Sequence, residues 1–294
     1  AAVIDPLRDT DTYVQLAQSR GARIRYIFET HFHADFVSGH LDLSQQTGAP
    51  IIYGPDAHTA FEKYTAKDGE QFPLGELTIQ AWHTPGHTLE STCYLLNDAA
   101  GNPHALFSGD TLFVGDVGRP DLFSGNLSKE SLASLLYDSL QKIKTLPDTV
   151  LLYPAHGPGS SCGKKLGPNT HSTIGEEKLH NYAMQDMNRE AFIDEVTEDL
   201  KTPPVYFPLN AGINRQGYSS MDTLKQKGLQ PLSVEAFKKH MQEGVYVLDT
   251  RPVTLFTAGF VPGAVSIGLE GRFAEWAGAL PPFNQPLILI TEKG

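Results

Sequence analysis

The chain has 294 residues, 40% of them hydrophobic and 19% charged, which is enough apolar content for one large core or two ordinary ones and excludes global disorder. A net charge of −11 would repel a phosphate backbone and so excludes nucleic acid as an expected partner. No apolar run reaches the roughly 18 residues that span a bilayer, and no basic segment leads into a signal-like stretch, so no membrane partner is expected. Two cysteines, Cys93 and Cys162, cannot make a disulfide framework, which fits a reducing compartment; a cytoplasmic location is expected.

The chain opens on Ala1-Ala2-Val3-Ile4 and a turn-like Asp5-Pro6, and ends just after the strand-like Leu287-Ile288-Leu289-Ile290. Both ends read as cuts inside folded structure, and the sequence as a piece of a longer protein. Residues 10–20 suit a helix capped by Thr10 or Asp11. Arg25-Tyr26-Ile27-Phe28 reads as a buried strand, residues 44–47 as helix closed by Gly48, and residues 50–53 as the next strand. Period-two alternation marks a strand over 77–82 and, less cleanly, 93–96; residues 105–107 and 150–153 are buried-type strands. Between them, residues 128–143 carry the helical stripe Leu132, Leu135, Leu136, Leu140 and Ile143. Thr173-Ile174-Gly175-Glu176 matches a capping box and opens a helix over 176–200. Residues 201–228, with Pro203, Pro204 and Pro208 and little periodicity, read as an ordered linker. A helix over 233–241, a strand over 245–248 and a turn and strand over 262–267 follow.

Ligand-type residues cluster at the ends of the buried strands. His31 and His33 flank Phe32, with Asp35 two residues on; His87 follows Thr84-Pro85-Gly86; Asp110 follows Ser108-Gly109; His156 follows Pro154-Ala155. A rigid sheet fixes such positions closely enough for a metal, and Gly86 and Gly109 permit the tight turns that aim the side chains inward. His40, His58, His83, His104, His171, His180 and His240 lack this placement and read as ordinary polar residues.

Thr30-His31-Phe32-His33-Ala34-Asp35, Thr84-Pro85-Gly86-His87-Thr88, Ser108-Gly109-Asp110-Thr111 and Tyr153-Pro154-Ala155-His156-Gly157 resemble the motifs of the metallo-β-lactamase fold. Within that fold they look most like the persulfide dioxygenases, a branch related to glyoxalase II. Gly118-Arg119-Pro120-Asp121-Leu122-Phe123-Ser124-Gly125 is similar to a segment beside the active site in that branch. The resemblance covers residues 1–200 and implies an α/β protein, an αββα sandwich lacking its first strand. One residue departs from the two-metal hydrolases of the fold, whose first motif reads His-x-His-x-Asp-His with the last His on the second metal. Here that position is Phe36. A phenyl ring cannot ligate, so a second site would keep only Asp35, His156 and a shared Asp110, and one metal is favoured.

The resemblance implies one Fe(II) per chain on His31, His87 and Asp110, a two-histidine, one-carboxylate set with positions open for O₂ and substrate. His33, Asp35 and His156 would orient ligands or water. The implied reaction oxidises a small thiol persulfide, of the glutathione persulfide class, with O₂ to sulfite and free thiol. Arg119 suits a carboxylate of the thiol carrier, Lys164 and Lys165 an anionic tail, and Cys162, six residues past His156, the neighbourhood of the iron. The competing expectation is a dinuclear zinc thioester hydrolase of the glyoxalase II type.

Farther on, Val247-Leu248-Asp249-Thr250-Arg251-Pro252 and Gly259-Phe260-Val261-Pro262-Gly263-Ala264-Val265 resemble the first half of a rhodanese domain, with Phe260 in place of the usual His. No cysteine follows residue 162, so the nucleophile that rhodanese chemistry needs is absent from residues 229–294. This partial α/β rhodanese-like domain is expected to be catalytically silent, serving as a binding or dimerisation module, and a homo-oligomer is expected.

Overall fold

Two sheets stack face to face and helices cover both outer surfaces. The computed structural model describes residues 1–122, 127–283 and 285–292. The chain divides into one unit of residues 1–203 with 207–221 and another of residues 204–206 with 222 onward. In the first unit one sheet holds β1 (Ala2–Ile4), β2 (Tyr26–Phe28), β3 (Ile51–Tyr53) and β4 (Tyr64–Thr65), all parallel. The helices α1 (Thr10–Ser19) and α2 (His40–Thr47) connect them. The other sheet contains β5 (Gln71–Leu74), β6 (Leu77–His83), β7 (Thr92–Asn97), β8 (Pro103–Gly109), β9 (Leu151–Pro154) and β10 (Ser172–Thr173). It is antiparallel except where β8 and β9 run parallel, a pairing that requires a crossover, supplied by helix α3 (Lys129–Lys144).

Period-two patterning decides which side chains meet. On β7, Tyr94 points between the sheets to join Phe28, Ile52, Phe72, Ile79 and Ala81. Its neighbours Cys93 and Leu95 point outward, where Ala133, Leu136, Leu140 and Ile143 of α3 cover them. Ala17 of α1 and Leu43 of α2 pack on Ile27 across the opposite face. The αββα sandwich follows from these three apolar layers. Fully burying each such Leu or Ile contributes roughly 1.5–3 kcal/mol.

The structure departs from the sequence reading in three places. At α1, Asp9 rather than Thr10 or Asp11 sits at the cap. Residues 176–200 are not one helix. Thr173 caps α4 (Ile174–His180), but Asn181 then accepts from Ala183 N–H to start a 3₁₀ turn, and Asn188 accepts from Ala191 N–H to start α5 (Arg189–Thr197). Two asparagines well placed to cap thus cut the segment. Residues 201–228, read as an ordered linker, contain helices that the sequence did not announce. They hold α6 (Phe207–Gln216) and α7 (Met221–Gly228), and Phe207 and Asn214 are buried.

The second unit continues with α8 (Val234–Gln242), β11 (Tyr246–Asp249), α9 (Val253–Ala258), β12 (Val265–Ser266), α10 (Phe273–Ala279) and β13 (Leu287–Ile290). The three strands form a parallel sheet in the order β12-β11-β13. At the end of β11, Asp249 is buried and its carboxylate holds Arg251, whose Nη2 also donates to Gly259 O.

Candidate metal centre

Four chain turns deliver polar side chains to one point. Beyond β2 the turn 29–35 presents His31, His33 and Asp35; beyond β6 comes His87; beyond β8, Asp110; beyond β9, His156. Two of these turns depend on glycine. Gly86 has φ +150°, and a Cβ there would meet the backbone of Leu136 at 2.4 Å. Gly109 has φ +53°, and its Cβ would lie 2.6 Å from the Thr30 side chain. Gly118 is excluded from bearing a side chain for a different reason: a Cβ would overlap Asp110 O and press on His87 Nδ1.

His31, His87 and Asp110 are each at most 2% exposed. Their ligand-type atoms lie within 4.8 Å of one another, with Asp110 Oδ2 3.4 Å from His87 Nε2 and 3.8 Å from His31 Nε2. On their far sides the rings are held: His87 Nδ1 is 2.8 Å from Arg119 O, and His31 Nδ1 is 2.9 Å from Thr30 Oγ1. His31 Nε2 and both Asp110 oxygens are buried without a hydrogen-bond partner. Orphaned buried polar atoms are costly, and here they converge, so the donor set fits a cation with nitrogen and oxygen ligands. Burial, reinforced by the His33 imidazole, pushes His31 well below its ordinary pKa and keeps the ring neutral, as a ligand must be. Burial alone would raise the Asp110 carboxyl, but the His156 and His31 imidazoles outweigh it and hold the group ionised.

The remaining predicted residues separate into those at the centre and those away from it. Asp35 and His156 are adjacent, His156 Nε2 lying 3.6 Å from Asp35 Oδ2 and 3.3 Å from Asp110 Oδ1. Despite the opposing effect of burial, the Asp110 carboxylate raises the His156 pKa strongly. His33 Nε2 lies 3.1 Å from Asp5 Oδ1 and 3.6 Å from Glu29 Oε2. Burial disfavours its charge, but Asp5 overcomes that and lifts the ring to about 9. Cys162 lies beside His156 and Asp110, its thiol pushed up to about 12 by burial and the Asp110 charge.

The Arg119 guanidinium and the Lys164 ammonium are engaged by protein groups. The Arg119 guanidinium is buried and occupied: Nε and Nη2 each donate to the Asp121 carboxylate at 2.7 Å, and Nη2 also bonds Lys201 O. Its fork is spent inside the protein, and its carbonyl holds His87. Lys164 Nζ donates to Glu195 O on α5, and the main-chain N–H of Lys165 donates to Asp116. Phe123, Ser124 and Gly125 of the motif around Arg119 lie outside the described residues.

Sequence reasoning missed a buried polar frame around the 29–38 turn. Glu29 accepts from Ser38 Oγ at 3.0 Å and pairs with His40 Nδ1 at 3.0 Å, so His40 is not an ordinary surface histidine. Asn214 of α6 donates to His33 O and Phe36 O and accepts from Ser38 N–H, at 2.8, 2.8 and 2.9 Å. Glu90 accepts from Phe32 N–H at 3.2 Å. Asp5 follows β1 as the ligands follow their strands; that strand-end signal was available for it and was read as a turn. Asn214 carried no signal, because its partners lie some 180 residues earlier.

A sequence profile of the Metallo-beta-lactamase superfamily matches residues 1–156. The chain belongs to that superfamily. Among curated superfamily relatives, a hydroxyacylglutathione hydrolase of Tolumonas auensis is 38% identical over 160 residues, 53% of this chain and 57% of that protein. The match therefore spans under two thirds of that relative's length. A crystal structure of a metallo-beta-lactamase from Staphylococcus aureus is 32% identical with a TM-score of 0.81, covering 98% of this chain and 83% of that one. The structure of ETHE1 from Myxococcus xanthus is 31% identical with a TM-score of 0.59, covering 72% and 88%. These likenesses establish an α/β metallo-β-lactamase fold in an enzyme superfamily.

Proposed function

We propose that His31, His87 and Asp110 hold one Fe(II) and that the chain oxidises a low-molecular-weight persulfide, of the glutathione persulfide class, with O₂ to sulfite and free thiol. The observation that carries the reading is Phe36, with a ring that cannot ligate where a dinuclear hydrolase needs an imidazole. His33 faces Asp5 and Glu29 and also groups with Asp35 and His156, whereas the two imidazoles and one carboxylate of His31, His87 and Asp110 form the fully buried trio. Such a trio leaves positions open on a ferrous ion, which when bound supplies the redox chemistry for oxygen transfer to sulfur. The protein's own groups do the rest. His31 and His87 turn Nε2 toward Asp110, and the ionised Asp110 supplies the negative charge. His156 Nε2 lies 3.3 Å from Asp110 Oδ1, where the imidazole is placed to orient that carboxylate or to face an anionic sulfur species. Burial of the trio excludes bulk water from the reacting groups.

A second reading, a dinuclear zinc thioester hydrolase, is favoured more directly by the names of the curated relatives, several of which are hydroxyacylglutathione hydrolases. Under it, Asp35, His156 and the shared Asp110 would hold the other ion. Both readings place a thiol conjugate at the centre. Anaerobic purification, metal counting, then O₂ uptake and sulfite release with glutathione persulfide decide between them. One iron per chain with matched O₂ loss and sulfite gain is expected; two zincs with turnover of S-lactoylglutathione would replace the dioxygenase by the hydrolase. For the second unit, the parallel sheet and the Asp249–Arg251 pair at the end of β11 support a rhodanese-like module that binds or dimerises without catalysis.

A further inference from the structure

We propose that Asp5 is a positioning residue for the metal centre, acting through the Thr30 hydroxyl to fix the His31 proton on Nδ1 and leave the Nε2 lone pair free. The inference rests on the reading that His31, His87 and Asp110 are metal ligands. It starts from a difference between the two imidazoles. His87 Nδ1 faces a carbonyl, Arg119 O, which can only accept, so that ring must carry its proton on Nδ1. His31 Nδ1 faces a hydroxyl at 2.9 Å, and a hydroxyl can donate or accept. Contact with Thr30 alone would leave the His31 tautomer open, and with the proton on Nε2 the ring could not ligate.

Asp5 resolves the ambiguity. Its Oδ2 lies 2.8 Å from Thr30 Oγ1, and its Oδ1 accepts the Thr30 N–H at 2.7 Å. An ionised carboxylate has no proton to give, so the Thr30 O–H donates to Asp5 and its oxygen is left to accept from His31 Nδ1–H. The chain holds Asp5 in place for this. It sits at φ +49°, a conformation that short polar residues tolerate better than other non-glycine side chains, and its own N–H donates to Phe28 O at 2.8 Å. The absence of a side chain at Gly109, the residue before the third ligand, leaves room for Thr30 here, since a Cβ at that glycine would lie 2.6 Å from Thr30 Oγ1. Asp5 thus sets the polarity of a relay that runs from the end of β1 through Thr30 to the His31 ring.

The polarity can be reversed. In Asp5→Asn, the amide oxygen keeps the Thr30 N–H while the NH₂ donates to Thr30 Oγ1; the hydroxyl must then donate to His31 Nδ1, driving the ring proton to Nε2. Long-range ¹H–¹⁵N spectra of the metal-free full chain read the tautomer directly. The expected result is Nδ1–H for His31 in the wild type and Nε2–H in Asp5→Asn, with Co(II) affinity against a chromophoric chelator lowered about 10–100-fold. Thr30→Val should lose affinity over the same range, and Thr30→Ser should restore it to within about threefold. An Nε2–H tautomer in the wild type, an unchanged tautomer in Asp5→Asn, or wild-type Co(II) binding by Thr30→Val would overturn the proposal. If Asp5→Asn does not fold, as judged by circular dichroism, the Val and Ser pair at position 30 decides alone. The tautomer is read without metal or substrate, so it can fail while the proposed reaction stands, and iron counting can fail while the relay stands.

Discussion

Phe36 lies against His33, ring centroids 4.3 Å apart, in the position where an imidazole would complete a second metal site. Asp35, His156 and Asp110 already converge, and by the family motif the element they lack is one imidazole at position 36. Phe36→His is therefore expected to raise bound metal from one ion per chain to two, counted by inductively coupled plasma mass spectrometry after loading with Zn(II). One ion in both proteins would mean that something other than the side chain at 36 closes the second site. The two cysteines allow a separate test. Thiols react as thiolates, yet burial pushes Cys93 up to about 11, and burial with the Asp110 charge pushes Cys162 up to about 12. Both are expected to resist iodoacetamide at pH 8 in the folded chain and to react fully in denaturant, as mass spectrometry of the labelled protein would record. Rapid labelling of Cys162 in the native state would show a thiolate that this environment does not favour.

At the scale of elements, the centre depends on how α3 and α6 meet the ligand turns. Gly86 touches the α3 backbone at Leu136, and neither side can yield without moving a helix or His87. Gly86→Ala is expected to destabilise the N-terminal unit by about 3 kcal/mol or more and to weaken metal binding with it, measured by urea unfolding and chelator competition. Asn214 makes three hydrogen bonds to the main chain of the 33–38 turn. Asn214→Ala strands those buried groups, at about 1–3 kcal/mol for each left unsatisfied. Faster hydrogen exchange over 33–38 should accompany the loss. These two elements also mark what the sequence disclosed. The stripe Leu132, Leu136, Leu140 and Ile143 made α3 legible, because helical spacing is a local signal. Strand-end placement likewise located His31, His87, Asp110 and His156. α6 was illegible: it is short, follows two prolines and carries a third at its second position, and has a role in the side chain of one asparagine reaching far back along the chain. The Arg119 pairing was hidden for the same reason, since the sequence reveals a guanidinium but not that Asp121 and Lys201 already occupy it.

For the whole molecule, the proposed ligand set would make a bound metal a cross-brace between the sheets of the N-terminal unit. His31 belongs to the parallel sheet of β1–β4; His87, Asp110 and His156 belong to the other. One ion bound by all three of His31, His87 and Asp110 would tie the two layers and satisfy buried atoms that have no hydrogen-bond partner. Stability gained by linkage grows with the logarithm of free metal over its dissociation constant, about 2.7 kcal/mol at a hundredfold excess. That gain accrues to the unit that holds the ligands. Chelation is therefore expected to speed hydrogen exchange over 29–36, 84–88, 108–119 and 153–163 while leaving the amides of β11 and β13 unchanged, and metal return should reverse it. Uniform acceleration across both units would mean that the ion stabilises the chain by some route other than bracing the two sheets. Acceleration confined to the turn after β2 would mean that His31 alone responds and that the ligand set spanning the two sheets is wrong.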